Sequence, residues 1–132
     1  AARSRWGDAR SRYAELDGIS LHYKDEGPRD APAVVLVHGS FGDLGDWDPW
    51  VAALGDRWRV IRFDRPGAGL SGSVPNGNYS LDRQLALVDA LLDTLGVERA
   101  AFVGASLGGP LAFRYASTRT ARVGALVLIN SA

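Results

Sequence analysis

The chain has 132 residues, 46% of them apolar, and its 15 basic and 15 acidic side chains cancel to a formal net charge of zero. A domain of this length buries roughly two-thirds of the surface its unfolded chain exposes, so it needs no disulfide or metal to fold, and it has no Cys. With no basic run and no stretch near the ~20 consecutive apolar residues of a membrane span, neither nucleic acid nor membrane is expected as a partner.

Met is also absent, so Ala1 is not an encoded start, and the sequence reads as trimmed, processed or excerpted. The opening Ala-Ala-Arg-Ser-Arg-Trp-Gly lacks the apolar stretch of a signal peptide, which gives a cytoplasmic location as the expectation. The basic residues are fourteen Arg and one Lys, not clustered on one predicted face, and no function is drawn from them.

Two apolar-alternating runs, Arg12 to Leu16 and Ile19 to Lys24, flank Asp17-Gly18, a two-residue hairpin signal, and should pair antiparallel. Ala33 to Val37 is continuously apolar, as a strand covered on both faces of a parallel sheet would be. Val60 to Phe63, Ala101 to Val103 and Ala125 to Ile129 repeat the pattern. Helices are expected over Trp47 to Leu54, Leu81 to Leu95 and Leu107 to Ala116. The clearest carries Leu81, Leu85, Val88, Leu92 and Leu95 at spacings of four, three, four and three, with Ser80 as N-cap and Gly96 as the stop. Alternating strands and helices after a hairpin indicate one three-layer α/β domain over residues 1–132, with helices on both faces of a mostly parallel sheet.

The sharpest chemical signal is Gly104-Ala105-Ser106-Leu107-Gly108-Gly109, set between an apolar strand and a helical run. A serine on such a turn takes a strained backbone, and the flanking glycines let strand and helix pack closely. The hydroxyl is then presented at a helix N-terminus, where free N–H groups favour the negative charge that develops in acyl transfer. The alternative is a Gly-rich turn with an incidental serine. His38-Gly39-Ser40-Phe41 follows the third strand, and the main-chain N–H of Ser40 can join that of Leu107 in an oxyanion hole. His38 reads as a structural residue bonding loop backbone, with a catalytic part as the alternative. In Gly67-x-Gly69-x-x-Gly72 the glycines mimic a dinucleotide fingerprint, but Ser73-Val74-Pro75-Asn76-Gly77 follows and no helix can open there, so no cofactor is expected. Asn78-Tyr79-Ser80 is a glycosylation sequon by chance.

Three segments in order, His38-Gly39-Ser40-Phe41, Asp64-Arg65-Pro66-Gly67-Ala68-Gly69-Leu70-Ser71 and Gly104-Ala105-Ser106-Leu107-Gly108, give the chain a resemblance to the N-terminal part of α/β-hydrolase fold proteins. The resemblance covers nearly the whole sequence and implies six strands in the order 1-2-4-3-5-6, a truncated version of the fold lacking the lid and last two strands. Ala68 stands where many such proteins carry His. In that family the acid and base follow the nucleophile, yet Leu107 to Ala132 contains no Asp, Glu or His, and Asn130 occupies a strand end where some relatives place the acid.

A serine needs a positioned base, and the chain has two histidines. His22 lies on the second strand, far from the fifth, whereas an Asp64, His38, Ser106 relay is allowed by the strand order. The candidate catalytic residues are therefore Ser106, Ser40, Leu107 and His38, with no metal or cofactor. Two functions are weighed: a minimal serine hydrolase with weak activity on activated small-molecule esters, and a non-catalytic half-hydrolase that dimerises or complements a C-terminal half. A homodimer through Ala125 to Ile129 is expected, because no Lys, Pro or inward charge protects that final strand.

Overall fold

The computed structural model describes residues 1–131. It contains α1 (Ala2–Trp6), β1 (Arg12–Leu16), β2 (Ile19–Glu26), β3 (Ala33–Val37), α2 (Asp48–Leu54), β4 (Arg59–Phe63), α3 (Leu81–Leu95), β5 (Ala100–Ala105), α4 (Gly108–Thr118) and β6 (Val123–Ile129). The six strands form one sheet in the order β1-β2-β4-β3-β5-β6, as expected. β1 with β2 and β2 with β4 are antiparallel, and the remaining pairs are parallel.

Local chemistry accounts for these elements. Asp17 and Gly18 both take positive φ, 54° and 78°, which is the backbone a two-residue hairpin requires, and Leu16 pairs with Ile19 across it. All five residues of β3 are buried, as the unbroken apolar run implies. Ser80 caps α3 by accepting the N–H of Arg83, and Gly96 ends the helix at φ 68° while the N–H of Val97 returns to the carbonyl of Leu92. The five-residue α1 was not foreseen: it buries no side chain and has no side-chain cap, so its sequence carries no apolar period to read.

Strand alternation divides the core into two layers. Val35, Val37, Ile61, Phe63 and Phe102 face α3 and α4, where they meet Leu85, Leu91, Leu92 and Leu111. Val34, Leu36, Val60 and Val103 face the other way, onto Trp47 with the partly buried Trp50, Val51 and Leu54 around α2. β6 differs from the interior strands: Val127 and Leu128 are 47% and 42% exposed, and among the described residues β5 is its one strand partner. No helix among the described residues is long and apolar enough to cross a membrane.

The larger layer holds most of the buried apolar surface, so its centre should be the most sensitive. Leu91 is fully buried there, and Leu91→Ala is expected to cost about 2–5 kcal/mol, read from urea unfolding. A loss below ~1 kcal/mol would contradict this packing.

Candidate active site

The C-terminal ends of β3, β4 and β5 converge on one edge of the sheet, and the loops leaving them build the site. Ser106 lies in the two-residue step between β5 and α4. Its φ is +52°, a left-handed backbone that a serine adopts only under constraint. Two glycines supply that constraint. A methyl group on Gly104 would lie 2.7 Å from the Gly108 carbonyl and 2.8 Å from Gly109 Cα, and one on Gly108 would overlap the carbonyls of Val37 and His38. The first turn of α4 is therefore pressed onto the exit of β3, and the chain can reach it only through a sharp reversal at Ser106. The N–H of Ser106 bonds the Ile129 carbonyl at 2.9 Å, and the N–H of Gly109 bonds the Ser106 carbonyl at 3.0 Å.

Gly39 closes the site from the β3 side. A Cβ there would stand 2.9 Å from Ser106 Cβ and 3.0 Å from the Ala105 carbonyl, so the backbone entering Ser40 passes directly against the serine. Ser40, Ser106 and Leu107 are all exposed. Among the described residues the N–H of Ser40 has no acceptor. Leu107 sits at the N-cap of α4, and no side chain caps that helix end. Phe41 takes φ +61° and is fully exposed. Beside Gly39 lies an open cavity of about 490 Å³, walled on its other sides by Arg65, Ala68, Tyr79 and Gln84. Ala68 presents only a methyl group to it.

His38 is buried and both its ring nitrogens are engaged: Nδ1 with the Gly39 carbonyl at 2.7 Å and Nε2 with the N–H of Arg65 at 2.9 Å. Nδ1 therefore carries the proton and Nε2 accepts. Burial, outweighing the Gly39 bond, pushes the imidazole below its ordinary pKa and keeps it neutral.

The Asp64, His38, Ser106 relay is corrected by these contacts. Asp64 bonds His22 Nδ1 at 2.6 Å and accepts the N–H groups of Leu44 and Leu70, each at 2.8 Å. The reason is register: the antiparallel pairing places Tyr23 opposite Phe63, which sets His22 beside Asp64. Burial alone would raise the Asp64 carboxyl, but the His22 bond and the two backbone N–H groups outweigh it and hold the group below the usual carboxylate range.

Arg65 is the residue that sequence reading missed. Its guanidinium reaches the Leu107 carbonyl at 3.2 Å and Gln84 Oε1 at 3.1 Å, tying the β4 exit to the Ser106 turn and to α3. Its place inside the Asp64-Arg65-Pro66-Gly67 segment was the available signal. No group of three or more His, Cys, Asp or Glu among the described residues could hold a metal ion.

His38→Ala is expected to lower stability by about 1–3 kcal/mol, because it strips the partner from the Arg65 N–H. The pH response has a definite sign. A histidine whose folded pKa is depressed stays neutral while the unfolded chain takes up a proton, so stability falls as pH drops through about 6.5. Thermal unfolding from pH 8 to 5 should show part of that slope disappear in His38→Gln; an unchanged slope would contradict the assignment.

The sequence model for the alpha/beta hydrolase fold matches residues 32–132. The chain is 36% identical over 115 residues to 3-oxoadipate enol-lactonase 1 of Acinetobacter baylyi, covering 87% of this chain and 42% of that protein. It is 40% identical over 94 residues to the bifunctional esterase/perhydrolase of Acinetobacter calcoaceticus, covering 70% and 34%. Among solved structures, the enol-lactonase from Burkholderia xenovorans superposes with a TM-score of 0.86 at 38% identity, covering 92% of this chain and 47% of that one. The chain thus spans about two-fifths of the length of the curated relatives it matches. With its sheet order and with these matches, the chain belongs to the α/β-hydrolase fold family.

Proposed function

We propose that Ser106 is the nucleophile of a hydrolase acting on small-molecule esters, with weak turnover of activated esters by the residues 1–132 themselves. The observation that carries this reading is the left-handed serine at φ +52°, pressed between the N-terminus of α4 and Gly39. Ser106 Oγ attacks the ester carbonyl carbon and the alcohol leaves. The resulting acyl-serine is then hydrolysed by water. The oxyanion formed on the way is held by the main-chain N–H groups of Ser40 and Leu107 and by the positive end of α4. His38 serves this site as a loop anchor, since both its ring nitrogens face backbone groups. Residues 107–131 contain no Asp, Glu or His, so none of them supplies a base to Ser106. An oxyanion hole and binding alone can retain ~10³-fold to 10⁴-fold over water. The enol-lactonase and esterase among the relatives are named for acyl substrates, which supports the ester class.

A second reading is a non-catalytic half of the fold that pairs with a copy of itself or complements a C-terminal half. The open outer edge of β6 favours it: N–H and C=O groups on an apolar, unprotected strand invite pairing. We propose that residues 1–132, as an isolated polypeptide, form a twofold homodimer through β6.

Labelling with an ethyl fluorophosphonate tests the first reading. A Ser106 Oγ–P bond forms, the P–F bond breaks and HF is released. After cleavage before Asp residues the adduct should lie on the peptide 93–132, and Ser106→Gly should remove it. That variant should also keep or gain up to ~1 kcal/mol of stability, because glycine tolerates the left-handed backbone. A folded wild-type protein with no adduct on that peptide would overturn the assignment. The dimer is tested by light scattering across a dilution series: Val127→Lys should convert a dimer to a monomer, and a wild-type monomer at every concentration would refute it.

A further inference from the structure

Outside the Ser106 site, the described residues hold a serine joined to a histidine and a carboxylate. Ser11 Oγ lies 2.8 Å from His22 Nε2, and His22 Nδ1 lies 2.6 Å from Asp64 Oδ2. We propose that Ser11, activated by His22 and positioned by Asp64, is a second nucleophilic serine that accepts acyl groups from small neutral esters. This stands independently of the reading of Ser106, because β4 and β3 separate β2 from β5 in the sheet.

The proton positions follow from the partners. The Asp64 carboxylate only accepts, and it already receives the N–H groups of Leu44 and Leu70, so in the neutral imidazole Nδ1 carries the proton and Nε2 a lone pair. The Ser11 hydroxyl therefore donates to Nε2, the arrangement in which an imidazole can serve as general base. The ring is held in place: it stacks on Tyr13 at 5.1 Å and 25°. The His22 and Asp64 side chains are only 5% and 2% exposed. Ser11 itself is half-buried and fixed at the entry to β1, its N–H on the Asp8 carbonyl and its Oγ accepting the Asp8 N–H.

Reagent has room to arrive. Ser11, His22 and Asp64 line a cavity of about 420 Å³ together with Trp6, Leu44 and Lys24. Lys24 Nζ bonds Asp8 at 2.6 Å, so the positive charge in that lining is paired with the Asp8 carboxylate. Asp43 and Asp48 also border the cavity and disfavour an acidic substrate. In the step itself Ser11 Oγ bonds the acyl carbon as its proton moves to His22 Nε2. The imidazolium, facing Asp64, then returns that proton to the departing alkoxide. Water repeats the sequence to release the acid.

The test uses the ethyl fluorophosphonate on Ser106→Ala protein, so that an adduct at Ser106 cannot contribute. Cleavage before Asp residues yields the peptide 8–16, in which Ser11 is the sole serine. The expected result is a phosphonyl adduct that fragmentation assigns to Ser11, formed roughly a hundredfold faster than at the exposed Ser4 and Ser117 of the same sample. In His22→Gln its rate should fall at least roughly tenfold. Absence of the adduct, a rate equal to that of Ser4 and Ser117, or labelling unaffected in folded His22→Gln would each overturn the proposal. The internal comparison with Ser4 and Ser117 decides the matter even where His22→Gln does not fold.

Discussion

The close approach of α4 to the exit of β3 governs the geometry of the whole edge that carries Ser106. Gly108 has no side chain because the carbonyls of Val37 and His38 occupy the space, and Gly104 has none because the Gly108 carbonyl and Gly109 Cα do. Once strand and helix are this near, one residue must reverse the chain with positive φ, and that residue is Ser106. A left-handed L-residue costs of order 1–2 kcal/mol, which the surrounding buried sheet sustains. Strain here is a consequence of packing two elements together, and its result is a hydroxyl standing at a helix N-terminus with the Gly39 backbone alongside.

A polar web keeps the neighbouring loops where that arrangement needs them. Asp64 gathers β2, the loop before α2 and the β4 loop through His22, Leu44 and Leu70. Directly after it, Arg65 gives its N–H to His38 and its guanidinium to the Ser106 turn and α3. Consecutive residues thus face opposite sides of β4, one organising the His22 side and the other the Ser106 side. Buried carboxylate and imidazole are both satisfied, so each fixes geometry at little cost in unpaired polar groups.

Legibility in the sequence tracked the range of the interaction. Asp17-Gly18, the Ser80 and Gly96 ends of α3 and the unbroken apolar run of β3 depend on neighbours a few residues away, and their positions could be read directly. The left-handed Ser106 belongs with them, since its glycines lie within a few positions. The partner of Asp64 could not be read, because it depends on the register of β2 against β4, which joins residues 42 apart in the chain. Strand order alone favoured His38; the pairing of individual residues selected His22. Likewise the segment around Arg65 marks the residue, but its contact with Leu107, 42 residues away, is set by the sheet order and not by its neighbours in the chain.

A crystal structure of the ethyl phosphonyl adduct tests the central claim most directly, because the phosphonyl oxygen stands where an oxyanion would form. The account predicts Ser106 still at positive φ, with that oxygen about 2.7–3.1 Å from the main-chain nitrogens of Ser40 and Leu107. A phosphonyl oxygen directed to solvent, or a Ser106 relaxed to negative φ with α4 still packed on β3, would contradict it.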